Sequence, residues 1–254
     1  MRNIENYTNA LAKAIHKELN RKLSFGCVNL WSNGSHDDMD YDLFIKSKNS
    51  IIKSLQEVPW EEIRDFYQLR EFGKNVEDQM FKATDGINTH KGLIFLHMFL
   101  AKAYMGKVKW KDLSSYTKTL SKGLLADYNK NNKAKKRNNY DLEDIRFYPL
   151  NGFKPLTNIA DNDYLKEISD LELTLYLIAK TDDTTTLGRS NLRTLRMVQE
   201  KSSEILKIND RENFYMQAKI LSDYYVNNHI SSGGVADLFT TIRTLEYLRE
   251  DFND

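Results

Sequence analysis

The chain has 254 residues, with 37 Lys and Arg against 36 Asp and Glu, a formal net charge of +1 and 41% hydrophobic residues. That balance argues against holding nucleic acid by bulk charge, and no stretch approaches the roughly 18–20 uncharged apolar residues of a membrane span. Cys27, the lone cysteine, excludes an internal disulfide and a Cys-based zinc site, and the first residues lack the apolar run of a secretory signal; the expectation is a soluble, cytoplasmic protein with enough chain for a sizeable core.

Along the chain, Tyr7, Leu11, Ile15 and Leu19 form a helical stripe. Helices are predicted near 40–56 and 61–82. The first is preceded by an acidic turn, Gly34-Ser35-His36-Asp37-Asp38-Met39-Asp40, whose carboxylates suit a helix cap as well as a site. On the second, Phe66, Arg70, Gly73, Glu77, Met80 and Thr84 share one face. Ionisable residues on a stripe holding Phe66 and Met80 are partly buried, which is costly unless they are paired or metal-bound, and Gly73 leaves room for a ligand.

The junction Thr84–Gly92 leads into Leu93–Ala103, apolar almost all round except for His97 and Lys102, which reads as a central helix. Asn88 or Thr89 can cap it, and His90 and Lys91 fall in its first turn. Two potential cations there oppose the helix dipole, a mismatch that a bound anion such as phosphate relieves. A helix follows near 111–127. Asn129–Asn139 is polar and basic without an apolar face, suiting a solvated loop or a basic lid.

Further helices are predicted near 164–180, 188–206 and 234–249, with another stripe at Phe214, Ala218, Leu221 and Tyr225. Asp182-Asp183-Thr184-Thr185-Thr186 offers hard oxygen ligands for Mg²⁺, or caps for the helix from 188. Ser231-Ser232-Gly233-Gly234-Val235-Ala236-Asp237 permits close backbone approach at a helix start. The predicted fold is all-α, one domain over residues 1–254, a helical bundle of roughly nine to twelve helices around the central apolar helix. Taken alone, the residues reach a helical protein with a Mg²⁺–polyphosphate pocket. A Tyr- and Phe-rich helical protein is compatible with a homodimer.

The stretch Leu69–Phe95 resembles the triphosphoribosyl-dephospho-CoA synthase family, in which an Arg, a Gly and Glu-x-x-Met precede Ala-Thr-x-Gly-Val-Asn-Thr-His-Lys-Gly. Those positions fall on Arg70, Gly73, Glu77, Met80, Ala83, Thr84, Gly86, Asn88, Thr89, His90, Lys91 and Gly92, with Ile87 for Val. Gly34-x-His36-x-Asp38-Met39, Asp183-Thr184 with Arg189, and Ser232-Gly233-Gly234-x-Ala236-Asp237-Leu238 match further family blocks in order. Two blocks have drifted. Leu23–Asn29 stands where the family has Pro-Lys-Pro-Gly-Leu-Val-Asp, and Asp141-Leu142-Glu143-Asp144 stands for Arg-Gly-Glu-Ala, with the Arg lost. Thr185 replaces the Asn of Asp-Thr-Asn.

The resemblance implies an enzyme that displaces adenine from ATP and joins the triphosphoribosyl group to a hydroxyl of dephospho-CoA. It implies Mg²⁺ and a carboxylate beside the developing oxocarbenium charge. Glu77, Asp38 and Asp183 are the candidates for metal binding or acid–base work. Thr89, His90 and Lys91, with Asn88 and His36, are expected at the ATP, Arg70 and Arg189 as reserve cations, and Gly233, Gly234 and Asp237 around the ribose or base. The drifted blocks leave two alternatives: a diverged member using another hydroxyl acceptor, and a non-catalytic ATP–Mg²⁺ binder.

Overall fold

A computed structural model describes residues 2–130, 142–161 and 168–253. All but the first two residues of the basic stretch 129–139 lie outside the described residues, as do Asp141 of the second drifted block and residues 164–167 of the helix predicted near 164–180. The helices are α1 (Ile4–Leu19), α2 (Tyr41–Glu57), α3 (Phe66–Ala83), α4 (Lys91–Met105), α5 (Leu113–Leu120) and α6 (Leu124–Lys130). They continue with α7 (Lys154–Asp161), α8 (Asp170–Lys180), α9 (Thr184–Arg189), α10 (Leu192–Ile205), α11 (Arg211–Asn227) and α12 (Gly233–Tyr247). Among the described residues there is no strand, only a single bridge between Asn29 and Ser32 that closes a turn. None of the helices is long and apolar enough to cross a membrane.

Local chemistry sets most of the helix starts. Asn3, Asp40, Asp65, Asn191 and Asp210 each accept a backbone N–H three residues on, satisfying a donor the helix leaves open. Ser169 and Glu172 form a reciprocal capping box at α8. The Asp182–Thr186 cluster does cap a helix, but one turn earlier than the sequence suggests: Asp183 opens the short α9, and Asn191 opens α10. The predicted helix near 111–127 is interrupted between α5 and α6 by the turn 121–123.

The core lies around α4, which packs on α1, α3, α5 and α12. The two polar residues within its apolar run are accommodated by specific partners. The His97 ring lies wholly buried, with Nδ1 2.7 Å from the Tyr7 hydroxyl and Nε2 3.4 Å from the Thr241 hydroxyl. Lys102 donates its ammonium to the Trp60 carbonyl at 2.6 Å. Gly73, expected to leave space for a ligand, instead lets α3 approach α4: a Cβ there would stand 3.3 Å from Met98 Cγ.

Candidate active site

Helix starts and turns from distant parts of the chain converge on a cavity of about 400 Å³. It is walled by the turn through Cys27 and His36, by Glu77 of α3, by the first turn of α4 with Asn88–Gly92 before and within it, by Asp144–Arg146, by Thr184 and Thr185, and by the start of α12.

At the start of α4 the N-cap residue, His90, makes no side-chain cap hydrogen bond. Asn88 Oδ1 approaches only the Lys91 N–H, at 3.3 Å. The Thr89 hydroxyl donates to Ser47 Oγ at 2.6 Å, and Ser47 Oγ lies 2.7 Å from His90 Nδ1. With Thr89 donating to Ser47, Ser47 passes its own proton toward Nδ1, and the neutral imidazole carries its hydrogen on Nε2. Burial pushes the His90 pKa down to about 3. His90 is therefore a neutral donor and not the cation expected from the sequence, which removes half of the apparent conflict with the helix dipole. Lys91 stands at the cavity rim, its ammonium 2.9 Å from Glu77 Oε2 across the α3–α4 interface.

Two glycines make room for carboxylates. A Cβ on Gly92 would come within 2.1 Å of Asp237 Oδ2, and one on Gly234 within 2.7 Å of Asp183 Oδ1. Asp183 is buried and accepts the Thr185 N–H at 2.8 Å, the Thr186 hydroxyl at 3.1 Å and the Gly234 N–H at 3.3 Å. Burial raises its pKa against those donors. Asp237 is raised well above the ordinary carboxylate range, first by burial and then by the negative charges of Asp183 and Glu18, with the Leu93 N–H opposing.

Several expected residues lie elsewhere. Asp38 has 61% of its side chain exposed, 3.9 Å from His36 Nδ1, and does not line the cavity. Arg70 pairs with Asp127 of α6 at 2.7 Å, away from the cavity wall. Arg189 acts from behind: it donates to the Ser35 carbonyl at 2.9 Å and to His36 Nδ1 at 3.0 Å. That bond leaves the His36 hydrogen on Nε2, 3.1 Å from Ser231 Oγ, while burial and the Arg189 charge lower the His36 pKa. Glu77, Asp38 and Asp183 are not gathered as one ligand set, and no group of three or more His, Cys, Asp and Glu able to hold a metal occurs among the described residues. Asp183 spends its oxygens on caps, and Asp38 sits on an exposed turn.

Other wall residues carry no signal in the sequence. Glu18 is buried against Arg21 at the end of α1, and Ser47, mid-helix in α2, stands behind the wall and holds His90. Arg146 looks unrelated to the missing Arg of the drifted block, yet it lines the cavity, with Nε 2.9 Å from both oxygens of the buried Asp144. Cys27 also faces the cavity, but burial lifts its thiol to about 11, so it is no nucleophile. Asn29, where the family has Asp, donates to the Arg21 carbonyl and to Ser24 Oγ at 3.1 Å each, a role an ionised carboxylate cannot fill.

The family model described as ATP:dephospho-CoA triphosphoribosyl transferase matches residues 4–254. A "Probable 2-(5''-triphosphoribosyl)-3'-dephosphocoenzyme-A synthase" of Streptococcus mutans serotype c is 29% identical over 285 residues, covering 94% of this chain and 94% of its own. The protein of the same name from Acinetobacter calcoaceticus is 28% identical over 249 residues, covering 89% and 85%. No solved structure matches the chain.

Proposed function

The chain belongs to the ATP:dephospho-CoA triphosphoribosyl transferase family, and from that premise we propose that it displaces adenine from ATP and joins the triphosphoribosyl group to a ribose hydroxyl of dephospho-CoA. The observation that carries this reading is the cavity itself, where the start of α4, with Lys91 and Glu77, faces Asp237 across Gly92. Such a surface suits a ligand with an anionic tail and a reacting centre that becomes positive. In this reading residues 1–254 act as one catalytic domain in the cytoplasm.

The triphosphate lies at the α4 start, where the positive end of the helix dipole, the Thr89 and His90 side chains and the Lys91 ammonium favour negative charge. Asn88 and His36 shape the same wall. Arg189 works only through His36, and Arg70 has a structural pairing with Asp127. The residues fit Mg²⁺ carried on the nucleotide and held by a single wall carboxylate, Glu77, since this ion commonly takes one or two carboxylates plus phosphate oxygens. Bound there, it supplies charge neutralisation.

At the sugar, the acceptor oxygen forms its bond to C1′ as the bond from C1′ to N9 breaks with its electron pair leaving on adenine. The departing base needs a proton and the acceptor hydroxyl must lose one, so the balance is a net transfer between them. Asp237, kept protonated by burial and by its acidic neighbours, is the donor for the base. Ionised carboxylates of the wall stabilise the oxocarbenium charge. Gly233 and Gly234 bring the α12 backbone close to the ribose.

The test is incubation with ATP, Mg²⁺ and dephospho-CoA, with chromatography for free adenine and the ribosylated product. Glu77→Gln is expected to lower turnover by roughly 100-fold or more without changing the thermal midpoint. Wild-type turnover in that variant would refute the role of Glu77, and ATP bound without adenine release from any hydroxyl acceptor would make the protein a binder only.

A further inference from the structure

A second cavity of about 640 Å³ lies beside the first and has no part in the reading so far. Its wall comes from Glu143–Asn151, from α7 and from the end of α8 with Thr181 and Asp182, closed by Arg196 and Gln199 of α10. Its size is that of a ligand pocket. One residue, Asp144, belongs to both walls and is itself buried. A transferase with two substrates needs two such spaces meeting at the reacting carbon.

The second cavity differs from the first in carrying tyrosine rings and no glycine. Its helices contribute the last turn of α8, the carbonyl end where the dipole disfavours phosphate, together with residues of α7 and α10. Glu143, Asp144 and Asp182 add carboxylates and Lys180 a cation, and Arg196 is committed to Asp182 Oδ1 at 2.7 Å and to Gln199 Oε1 at 2.8 Å. The wall also presents the rings of Tyr148 and Tyr176. Thr181 Oγ1 is buried without a partner at hydrogen-bond distance, although the Tyr148 hydroxyl lies close by. Aromatic faces beside acceptor oxygens suit a flat, uncharged heterocycle with amine and hydroxyl donors, and they suit a polyphosphate badly.

We propose that this second cavity binds the purine nucleoside end of the acceptor, with the hydroxyl to be ribosylated reaching the first cavity past Asp144. The proposal rests on the transferase reading above. The purine stacks on the tyrosines, its exocyclic amine meets the acidic side, and the phosphates of the acceptor stay outside.

Steady-state kinetics of the full chain separate the two substrates. Tyr176→Ala is expected to raise the KM for dephospho-CoA by about tenfold, the loss typical of a removed stacking partner, with the KM for ATP changed less than about twofold. Asn158→Trp, at an exposed position on α7, fills the same cavity from its rim without disturbing the core and is expected to act the same way. Unchanged KM values for both substrates, or a rise confined to ATP, would overturn the proposal. Calorimetric titration with dephospho-CoA alone keeps the question separate from catalysis. If the protein releases no adenine, the transferase reading fails, yet tighter binding to wild type than to both variants still supports the cavity assignment, and equal binding sinks it.

Discussion

His90 and His97 stand two turns apart on the same helix, and burial holds both near a pKa of about 3. They nevertheless belong to different kinds of region. His97 is enclosed by Tyr7 and Thr241, so its polarity is absorbed by the core. His90 is tied to Ser47 and Thr89 and forms part of the cavity wall beside Lys91 and Gly92. A depressed imidazole pKa marks burial both at the start of α4 and in its middle, and only the company each ring keeps tells function from packing.

The strongest way to break this comparison is to obstruct the helix start at the cavity without touching the buried middle of the helix. Gly92→Ala would press its Cβ on Asp237 Oδ2 and on Ile145 Cδ1, the mobile ends of side chains. Adenine release is expected to fall about 100-fold or more, with little change in thermal midpoint; a large loss of stability with activity retained per folded molecule would reverse the assignment. The complementary change, His97→Ala, opens a space and strands the Tyr7 hydroxyl. It is expected to cost about 3 kcal/mol in urea denaturation while leaving the KM for ATP unchanged.

The pH dependence of stability sharpens the comparison. In the unfolded chain each histidine gains a proton below its ordinary 6.5, whereas the folded protein resists until about 3. Their contribution is therefore complete above 6.5 and is lost as pH falls toward 3, by about 1.4 kcal/mol per pH unit for each ring. Asp183 and Asp237, raised by burial, act in the opposite sense and add stability as pH falls. The informative quantity is the difference between wild type and His97→Asn. Removing one ring should flatten the slope between pH 6.5 and pH 4.5 by about 1.4 kcal/mol per unit, and an identical slope would mean that His97 titrates normally. The smallest effect concerns the drifted block: Asn29→Asp removes donors from the Arg21 carbonyl and Ser24 Oγ and is expected to cost about 1 kcal/mol, read as a shift in the urea midpoint.

Periodicity made most of the helices legible. The stripes at Tyr7–Leu19 and Phe214–Tyr225 are buried faces, and the apolar run after Gly92 is the central helix. α7 was not legible, because Pro155 reads as a breaker although proline is tolerated in a first helical turn. At the site, the Asn88–Gly92 motif and the glycines of α12 could be read, since a short stretch carries each. Glu18 and Arg146 could not, because tertiary packing alone brings them to the cavity, nor could Ser47, which packing sets behind His90. The same limit explains Arg70: it shares a helix face with Glu77, but Asp127 of α6 claims it.

Asp183 receives N–H groups from the first turns of both α9 and α12, more than 40 residues apart in the chain. A single carboxylate thus acts as a latch between two electropositive helix tips that would otherwise repel. Loosening it would free the α12 backbone bordering the sugar and the threonine turn on the opposite rim together, so the two sides of the opening are mechanically one part.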